Sequence, residues 1–285
     1  MSQLVENISD TARWVATFRA EESERPDAVF HDPFARRLAG EKGEQIANAI
    51  KFGRDNSWSF VTRTYHFDEF IMQHVEQGYD MIINLAAGLD ARAYRMQLPK
   101  TLKWIDVDLP DMINYKNEVL KNERLKCEYR TIALDLADRK ARLALFQKLH
   151  TECKRALVVT EGLIIYLTDE QAAELAIDLS SQDHFHRWIF DLTSPALLEM
   201  IKKEMQPALK GSGAVFQFAP EEGEAFFEKY GWRWIETRSK LKTAAKLNRL
   251  TGETKTYAEM PEPPGPYRPF PWSGDCVLEN VEAVN

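Results

Sequence analysis

The stretch MIINLAAGLDAR, residues 81–92, decides the fold. Its first five residues form a short apolar run, and residues 86–88 form a turn of small residues. A strand that ends in such a turn is typical of parallel α/β sheets, which bind ligands beyond the carboxyl ends of their strands. Small residues let the backbone approach a ligand closely. The turn is not a GxGxxG fingerprint, because Ala86 takes the place of the first glycine.

Strand and helix patterns alternate along the chain after this turn. Strands are predicted at 81–85, 102–108, 129–134, 156–160 and 187–190, and helices at 111–122, 139–150 and 169–179. The alternation predicts right-handed βαβ units and a mainly parallel, doubly wound sheet of the α/β class. Beyond residue 193 we expect helices at 195–205 and 221–230 and strands at 232–237 and 276–284, consistent with an antiparallel final hairpin.

The first 78 residues differ from the rest, since they are polar, helical in pattern and interrupted by Pro26 and Pro33. We predict a single domain over residues 1–285. It comprises a helical N-terminal lid, residues 1–78, and an α/β cofactor-binding core with insertions, residues 79–285. A length of 285 residues is ordinary for one α/β domain.

Composition excludes several classes of function. The net charge of −7 argues against a nucleic-acid partner. No run of about 18 apolar residues occurs, and the start of the chain lacks a secretory pattern, so we expect no membrane association and a cytoplasmic location. Three scattered cysteines without CxxC spacing predict neither a disulfide framework nor a metal site. The sequence indicates no oligomeric state.

Acidic residues follow three successive strands. Asp106 and Asp108 end the second predicted strand, Asp135 follows the third, and Glu161 follows the fourth. An acid about twenty residues after the first turn can accept hydrogen bonds from ribose hydroxyls. Asp106 and Asp108 share a strand face, and we expect one of them to cap the next helix or meet solvent. A pyrophosphate is poorly matched to this crowd of carboxylates, whereas a sulfonium or amino cation suits it. The acids therefore favour S-adenosylmethionine over NAD.

Several motifs together resemble the leucine carboxyl methyltransferase family, which includes many bacterial S-adenosylmethionine-dependent O-methyltransferases. The matching segments are RAEESERPD at 19–27, HDPFA at 31–35, RTYHFD at 63–68, NLAAGLDAR at 84–92, DVDLP at 106–110 and TEGLIIYL at 160–167. The resemblance extends over residues 10–240 and implies a Rossmann-like class I methyltransferase fold. Ala86 and Ala91 depart from the glycine and threonine that are usual in the family's turn.

The resemblance also implies which residues bind the methionyl part of S-adenosylmethionine. Arg63 would pair with the α-carboxylate, for which a guanidinium fork is well shaped. Gly88 would leave room beside the methionyl chain, and Glu161 would face its amino end. Arg19 would also lie near the carboxylate, although its match to the family is looser.

Three further positions are implied for the nucleoside part of the cofactor. Asp108 would hold the ribose hydroxyls, Asp135 would accept a hydrogen bond from the adenine amino group, and Leu136 would pack beside the ring. The extra methyl group of Ala86 could press on the cofactor and reduce its affinity.

The implied reaction is methyl transfer to a carboxylate or hydroxyl of a small-molecule acceptor. A carboxylate, with a pKa of about 4, is already ionised at neutral pH, whereas a phenol would benefit from a general base. No catalytic residue is assigned, although five histidines are candidate bases: His31, His66, His74, His184 and His186. Two alternatives stay open, a nicotinamide-dependent oxidoreductase on a similar fold and a nucleoside-binding protein without catalysis.

Aromatic residues are numerous in two regions outside the predicted sheet. They are Trp14, Phe18, Phe30, Phe34, Phe52, Trp58 and Phe60 in the lid, and Phe216, Phe218, Phe226 and Phe227 near the C-terminus. A sheet core cannot account for all of them. We therefore expect some to line an acceptor pocket above the strand ends.

Overall fold

The computed structural model describes residues 5, 9–209, 211–262, 265–266 and 268–283, except for the side chains of residues 206 and 207. One seven-stranded sheet in the order β3-β2-β1-β4-β5-β7-β6 organises this part of the chain. Its strands are β1 Met81–Leu85, β2 Lys103–Asp108, β3 Glu128–Ala133, β4 Ala156–Thr160, β5 Phe185–Thr193, β6 Trp232–Ser239 and β7 Ser273–Asn280.

The first five strands are parallel, and β7 is antiparallel to both of its neighbours. All seven predicted strands are present, β1 and β4 with the predicted limits. The expected final hairpin is confirmed, and β7 lies between β5 and β6. Residue 284 of the predicted last strand lies outside the described residues. The strand order reverses between β1 and β4, where a doubly wound sheet opens a crevice for a ligand.

Helices cover both faces of the sheet and extend over its carboxyl edge. They are α1 Ser9–Ser23, α2 Ala35–Ala49, α3 Lys51–Asp55, α4 Ser57–Glu76, α5 Arg92–Arg95, α6 Pro110–Leu120, α7 Arg139–Glu152, α8 Asp169–Ser180, α9 Pro195–Leu209, α10 Lys240–Lys246 and α11 Thr254–Glu259. The predicted helix at 221–230 is a run of 3₁₀ turns, Gly223–Tyr230. None of the described helices is long and apolar enough to cross a bilayer.

Alternation along each strand divides the core into two layers. Ile83 faces a cluster with residues of α7 and α8, whereas its neighbour Ile82 faces a cluster with residues of α4 and α6. Successive strand residues point to opposite faces, so both neighbours are fully buried. The near-continuous apolar strands follow from this coverage of both faces.

A third apolar cluster joins the N-terminal helices to the C-terminal half of the chain. Trp14 and Phe18 of α1 pack there with Ile46 of α2, Leu198 of α9 and Phe216. Trp14 and Phe216 also line the cavity that opens at the strand ends. The N-terminal helices therefore help to roof the carboxyl edge of the sheet.

Candidate functional site

A cavity of about 600 Å³ lies at the carboxyl ends of the parallel strands. This volume is in the range of ligand-binding pockets. All six site residues predicted from the sequence line it: Arg63, Gly88, Asp108, Asp135, Leu136 and Glu161. The register of the sheet brings them together, since Asn84 of β1 pairs with Asp106 of β2, and Val107 of β2 pairs with Ile132 of β3.

The turn after β1 has an unusual backbone that shapes the cavity floor. Ala86 and Gly88 both have a φ of 51°, in the left-handed region that glycine adopts without strain. Alanine costs more there, by about 1–2 kcal/mol. A Cβ atom added at Gly88 would lie 3.3 Å from the Cβ of Ala12. Position 88 therefore suits glycine both by conformation and by the close approach of α1.

Asp108 is the last residue of β2, and its side chain stabilises this turn by hydrogen bonding. Its Oδ2 accepts a hydrogen bond of 2.6 Å from the Gly88 amide, and its Oδ1 accepts one of 2.7 Å from the Leu109 amide. Burial raises the pKa of Asp108 above its usual range, although both amide hydrogen bonds oppose this. A carboxylate has about four acceptor positions, so Asp108 retains capacity for two ribose hydroxyls.

Asp106 has a different role from the one expected. It neither caps the following helix nor meets solvent, because its side chain is 1% exposed. Its carboxylate accepts hydrogen bonds of 2.6 Å from Lys116, 2.7 Å from Tyr129 and 2.8 Å from Trp104. A buried lysine on α6 requires such an anion. Asp106 is thus a structural ion-pair partner, and Asp108 is the acid of β2 that lines the cavity.

Asp135 and Leu136 line the cavity beyond β3, as predicted. Asp135 is exposed, and its Oδ1 accepts a hydrogen bond of 2.9 Å from the Ala137 amide. The Leu136 carbonyl accepts one of 2.7 Å from Arg142. These bonds fix the loop while leaving the second oxygen of Asp135 available to a ligand.

Glu161 follows β4 and lies between two buried guanidinium groups. Arg63 of α4 donates to its Oε1 at 3.0 Å, and Arg92 of α5 donates to its Oε2 at 2.7 Å. Burial alone would raise the pKa of Glu161, but the cations of Arg92 and Arg63 outweigh it and lower the pKa to about 2. Glu161 is therefore ionised at neutral pH and anchors α4 and α5 to the sheet.

Arg63 also contacts Asp191 of β5, with 3.2 Å between Nη1 and Oδ2. Asp191 accepts a hydrogen bond of 2.6 Å from the Gly162 amide and lies 3.5 Å from the Lys240 ammonium. Gly162 has a φ of 68°, and a Cβ there would lie 3.2 Å from Arg63. The arginine packs closely against this turn, with some of its five N–H donors unused by Glu161 and Asp191.

The comparisons with known proteins agree with this geometry. The model of the leucine carboxyl methyltransferase family matches residues 12–179, more than half of the chain. The chain belongs to the leucine carboxyl methyltransferase family. It is an S-adenosylmethionine-dependent methyltransferase, as the relatives described below also indicate.

Two bacterial relatives of this methyltransferase cover most of its length. A putative S-adenosyl-L-methionine-dependent methyltransferase of Streptomyces avermitilis is 30% identical over 236 residues, 78% of this chain and 82% of the relative. Another from Mycobacterium bovis is 27% identical over 255 residues, 81% of this chain and 78% of the relative.

Solved structures show the same fold at low sequence identity. The crystal structure of a putative methyltransferase from Thermobifida fusca superposes with a TM-score of 0.61 at 12% identity, covering 98% of this chain and 96% of that one. A DUF574 family protein from Streptomyces avermitilis gives a TM-score of 0.56 at 10% identity, covering 93% of this chain and 96% of that one.

The donor set in the cavity of this methyltransferase fits S-adenosylmethionine. Arg63 offers N–H donors for a carboxylate, Asp108 offers free acceptor positions for ribose hydroxyls, and Glu161 and Asp191 line the same cavity. The family-implied roles of Arg63, Gly88, Asp108, Asp135, Leu136 and Glu161 in cofactor binding stay predictions.

Several charged residues of the cavity were not predicted from the sequence, among them Arg92, Asp191 and Lys240. Arg92 lies within the turn motif, and the motif alone does not indicate its pairs with Asp68 at 2.6 Å, Asp90 at 2.9 Å and Glu161. Asp191 was missed because the predicted fifth strand stopped at residue 190. Lys240 carries no local motif, and only folding brings it beside Asp191.

Arg19 lines the cavity and is buried. Its Nε donates to Asp32 at 2.9 Å, and its Nη2 donates to the Leu89 carbonyl at 2.6 Å. These contacts join the RAEESERPD and HDPFA motifs to the turn after β1, which is a structural reason for the N-terminal motifs.

The predicted aromatic pocket is present in part. Trp14, Phe60, Phe216 and Phe218 line the cavity, whereas the expectation was wrong for Phe226 and Phe227. Phe227 packs against Trp188 and Phe190 in the sheet core, and Phe226 packs against Phe227. The rest of the apolar wall comes from Ile165, Tyr166, Leu197, Ile201 and Met205.

None of the five histidines considered as bases is among the residues that line the cavity. His66 is buried, with its Nδ1 2.7 Å from Asp275 and its Nε2 2.8 Å from Thr243. His74 is buried against the Phe70 carbonyl at 2.6 Å. Both are structural histidines of α4.

Proposed function

We propose that this methyltransferase transfers the methyl group of S-adenosylmethionine to an oxygen atom of a small-molecule acceptor, either a carboxylate or an acidic hydroxyl. The observation that carries this proposal is the state of the titratable groups around the cavity. Glu161 and Asp191 are committed to ion pairs and Tyr166 keeps its proton, so these three groups are poorly suited to act as a general base. An acceptor that ionises unaided fits such a site best.

The carboxylates of the cavity illustrate this. Glu161 has a pKa lowered to about 2 and is a very weak base. Burial alone would raise the pKa of Asp191, but Arg63 and Lys240 lower it below its ordinary value. Burial also raises the pKa of Tyr166, so its hydroxyl keeps its proton at neutral pH. Efficient base catalysis needs a pKa near the operating pH, and these groups do not have one.

An oxygen acceptor with a low pKa avoids this requirement. A carboxylate is ionised at neutral pH, whereas an amine is protonated there and would first have to lose a proton. The cofactor supplies an electrophilic methyl group on a sulfonium. The protein then has to place the acceptor oxygen about 3 Å from that carbon, which is the main source of rate enhancement in such a reaction.

The apolar wall supports a small organic acceptor. Tyr166 stacks on Phe216 with ring centroids 5.1 Å apart, and its side chain is hydrogen-bonded with Thr11. The amide of Gln217 donates to the Ile165 carbonyl at 2.8 Å, which holds the Phe216 segment against the Tyr166 turn. Burial among these side chains excludes water from a reacting oxygen and favours an aromatic or aliphatic body on the acceptor.

We also place the protein in the cytoplasm. Cys127, Cys153 and Cys276 are free thiols, and reduced cysteines are typical of that compartment.

The test is transfer of a labelled methyl group from S-adenosylmethionine to a panel of aromatic and aliphatic acids, the corresponding phenols and alcohols, and matched amines. We expect label in the acids or the acidic hydroxyl compounds. Release of the label by mild alkali distinguishes a methyl ester from an ether. Labelling of the amines alone would contradict the proposal.

A further inference from the structure

A second cluster of ligand-type side chains lies at the edge of the sheet opposite the cavity. His150 is in the last turn of α7, and Asp183 and His184 immediately precede β5. The His184 carbonyl accepts a hydrogen bond of 2.8 Å from the amide of Ala156, the first residue of β4. The three residues therefore lie at the amino ends of β4 and β5, and none is among the residues that line the cavity.

These three side chains converge. His150, Asp183 and His184 each offer one ligand atom, and all these atoms lie within 4.8 Å of one another. The His150 Nδ1 is 3.3 Å from the Asp183 carboxylate. The two imidazole rings stack with centroids 4.2 Å apart and planes inclined by 23°. All three side chains are half-buried or partly exposed, so an ion from solvent can reach them.

One ring is oriented for a cation by a hydrogen bond, and the other has a ring nitrogen without a hydrogen-bond partner among the described residues. The His184 Nδ1 lies 2.9 Å from the His150 carbonyl. A carbonyl only accepts, so Nδ1 carries the proton and Nε2 keeps its lone pair. Histidines that bind metals are commonly oriented by such a bond to a carbonyl. The His150 Nδ1 is buried and has no hydrogen-bond partner in the described part of the chain, although a carboxylate lies beside it.

Ring packing at the end of α7 explains less of this arrangement than a bound ion does. A protonated His150 would favour the C-terminal end of α7 through the helix dipole, and stacking would bury both rings. Neither effect explains a buried ring nitrogen that faces a carboxylate without a hydrogen bond, because such groups are normally satisfied. An ion between the ligand atoms would satisfy both the ring nitrogen and the carboxylate.

We propose that His150, Asp183 and His184 form a binding site for a divalent transition-metal ion, Zn²⁺ above others. Two imidazoles and one carboxylate favour zinc, cobalt or nickel over magnesium or calcium. Zinc binds imidazole nitrogen at about 2.0–2.1 Å with tetrahedral geometry, which places neighbouring ligand atoms about 3.3 Å apart. From separations of up to 4.8 Å, the side chains would move together by up to about 1.5 Å, and water would complete the coordination.

Such an ion links the end of α7 to the start of β5, far from the turn after β1. Ion binding to the folded chain alone stabilises it by mass action. The proposal predicts a rise in melting temperature with zinc and no change in the affinity for S-adenosylhomocysteine. The cysteine pattern gives no sign of this site, because none of its ligands is a cysteine.

The test uses the full chain, without an affinity tag, after removal of metals with EDTA. Titration calorimetry with ZnCl₂ should show one ion per chain, and CoCl₂ should give the intense visible absorption of a four-coordinate site. His184→Ala and Asp183→Asn should each weaken zinc binding by about tenfold or more, while the exposed-residue control His31→Ala leaves it unchanged.

Binding of S-adenosylhomocysteine reports that each variant is folded. Absence of zinc binding at about 100 µM metal overturns the proposal, because a three-ligand site should bind zinc at least this tightly. Zinc binding of equal affinity in wild type and His184→Ala also overturns it, because the ion would then lie elsewhere.

Discussion

Replacing Glu161 by glutamine tests the electrostatic core of the site. Its pKa is lowered from an ordinary 4.5 to about 2 by Arg92 and Arg63, against the opposing effect of burial. One pH unit corresponds to about 1.4 kcal/mol, so the ionised side chain contributes about 3 kcal/mol to folding at neutral pH. The side chain is 14% exposed, which limits screening by solvent.

We therefore expect Glu161→Gln to lower the free energy of unfolding by about 3 kcal/mol at pH 7, measured by urea denaturation. For a chain of this size this corresponds to roughly 6–12 °C in melting temperature. The matched control is Glu118→Gln, whose side chain is 71% exposed and pairs only with the exposed Lys121. That variant should be within about 0.5 kcal/mol of wild type.

The pH dependence gives the sharper test. Because the folded-state pKa of Glu161 is below the unfolded value, its stabilisation is complete above about pH 4.5 and is lost as the pH falls towards about 2. The difference between wild type and Glu161→Gln should thus shrink to about 2 kcal/mol at pH 3.5. Equal stability at pH 7, or a difference that does not change with pH, would refute the reasoning.

Three other outcomes are expected. Asp108→Ala should weaken binding of S-adenosylhomocysteine by about 1.5–3 kcal/mol in calorimetry. Asp106→Ala should mainly lower the melting temperature, because Lys116 loses its buried partner. A larger loss of binding in Asp106→Ala than in Asp108→Ala would show that the ribose is assigned to the wrong acid. Ala86→Gly should change stability by less than about 1 kcal/mol, since relief at a φ of 51° is offset by greater freedom of the unfolded chain, and should bind S-adenosylhomocysteine at least as tightly. Protease cleavage within residues 20–60 should slow when S-adenosylhomocysteine binds, as observed by mass spectrometry; a cleavage rate indifferent to the ligand would show that lid and cofactor are uncoupled.

Much of the fold could be predicted because each strand is a local pattern. β1 and β4 are continuous apolar runs that end in turns, and their predicted limits agree with the structure. The position of β7 between β5 and β6 could only be suggested, since strand order depends on contacts between distant segments. The 3₁₀ turns at Gly223–Tyr230 look helical in sequence because both helix types bury residues three apart.

The candidate site could be predicted where a motif carries it. Gly88, Asp108 and Glu161 each lie at or just beyond the end of a strand, so the strand prediction places them at one edge. The ion pairs of Arg63 and Arg92 with Glu161, and of Arg63 with Asp191, could not be predicted. These residues lie on separate elements and meet only in the folded chain. Strand alternation alone also could not separate Asp108 from Asp106, which required the position of Lys116.

Titration of the purified chain with S-adenosylhomocysteine and, separately, with NAD tests the central claim most directly. The account predicts one S-adenosylhomocysteine bound per chain, with a rise in melting temperature, and no binding of NAD at the same concentrations. Binding of NAD with no response to millimolar S-adenosylhomocysteine would contradict the assignment of the cavity to a methyltransferase cofactor.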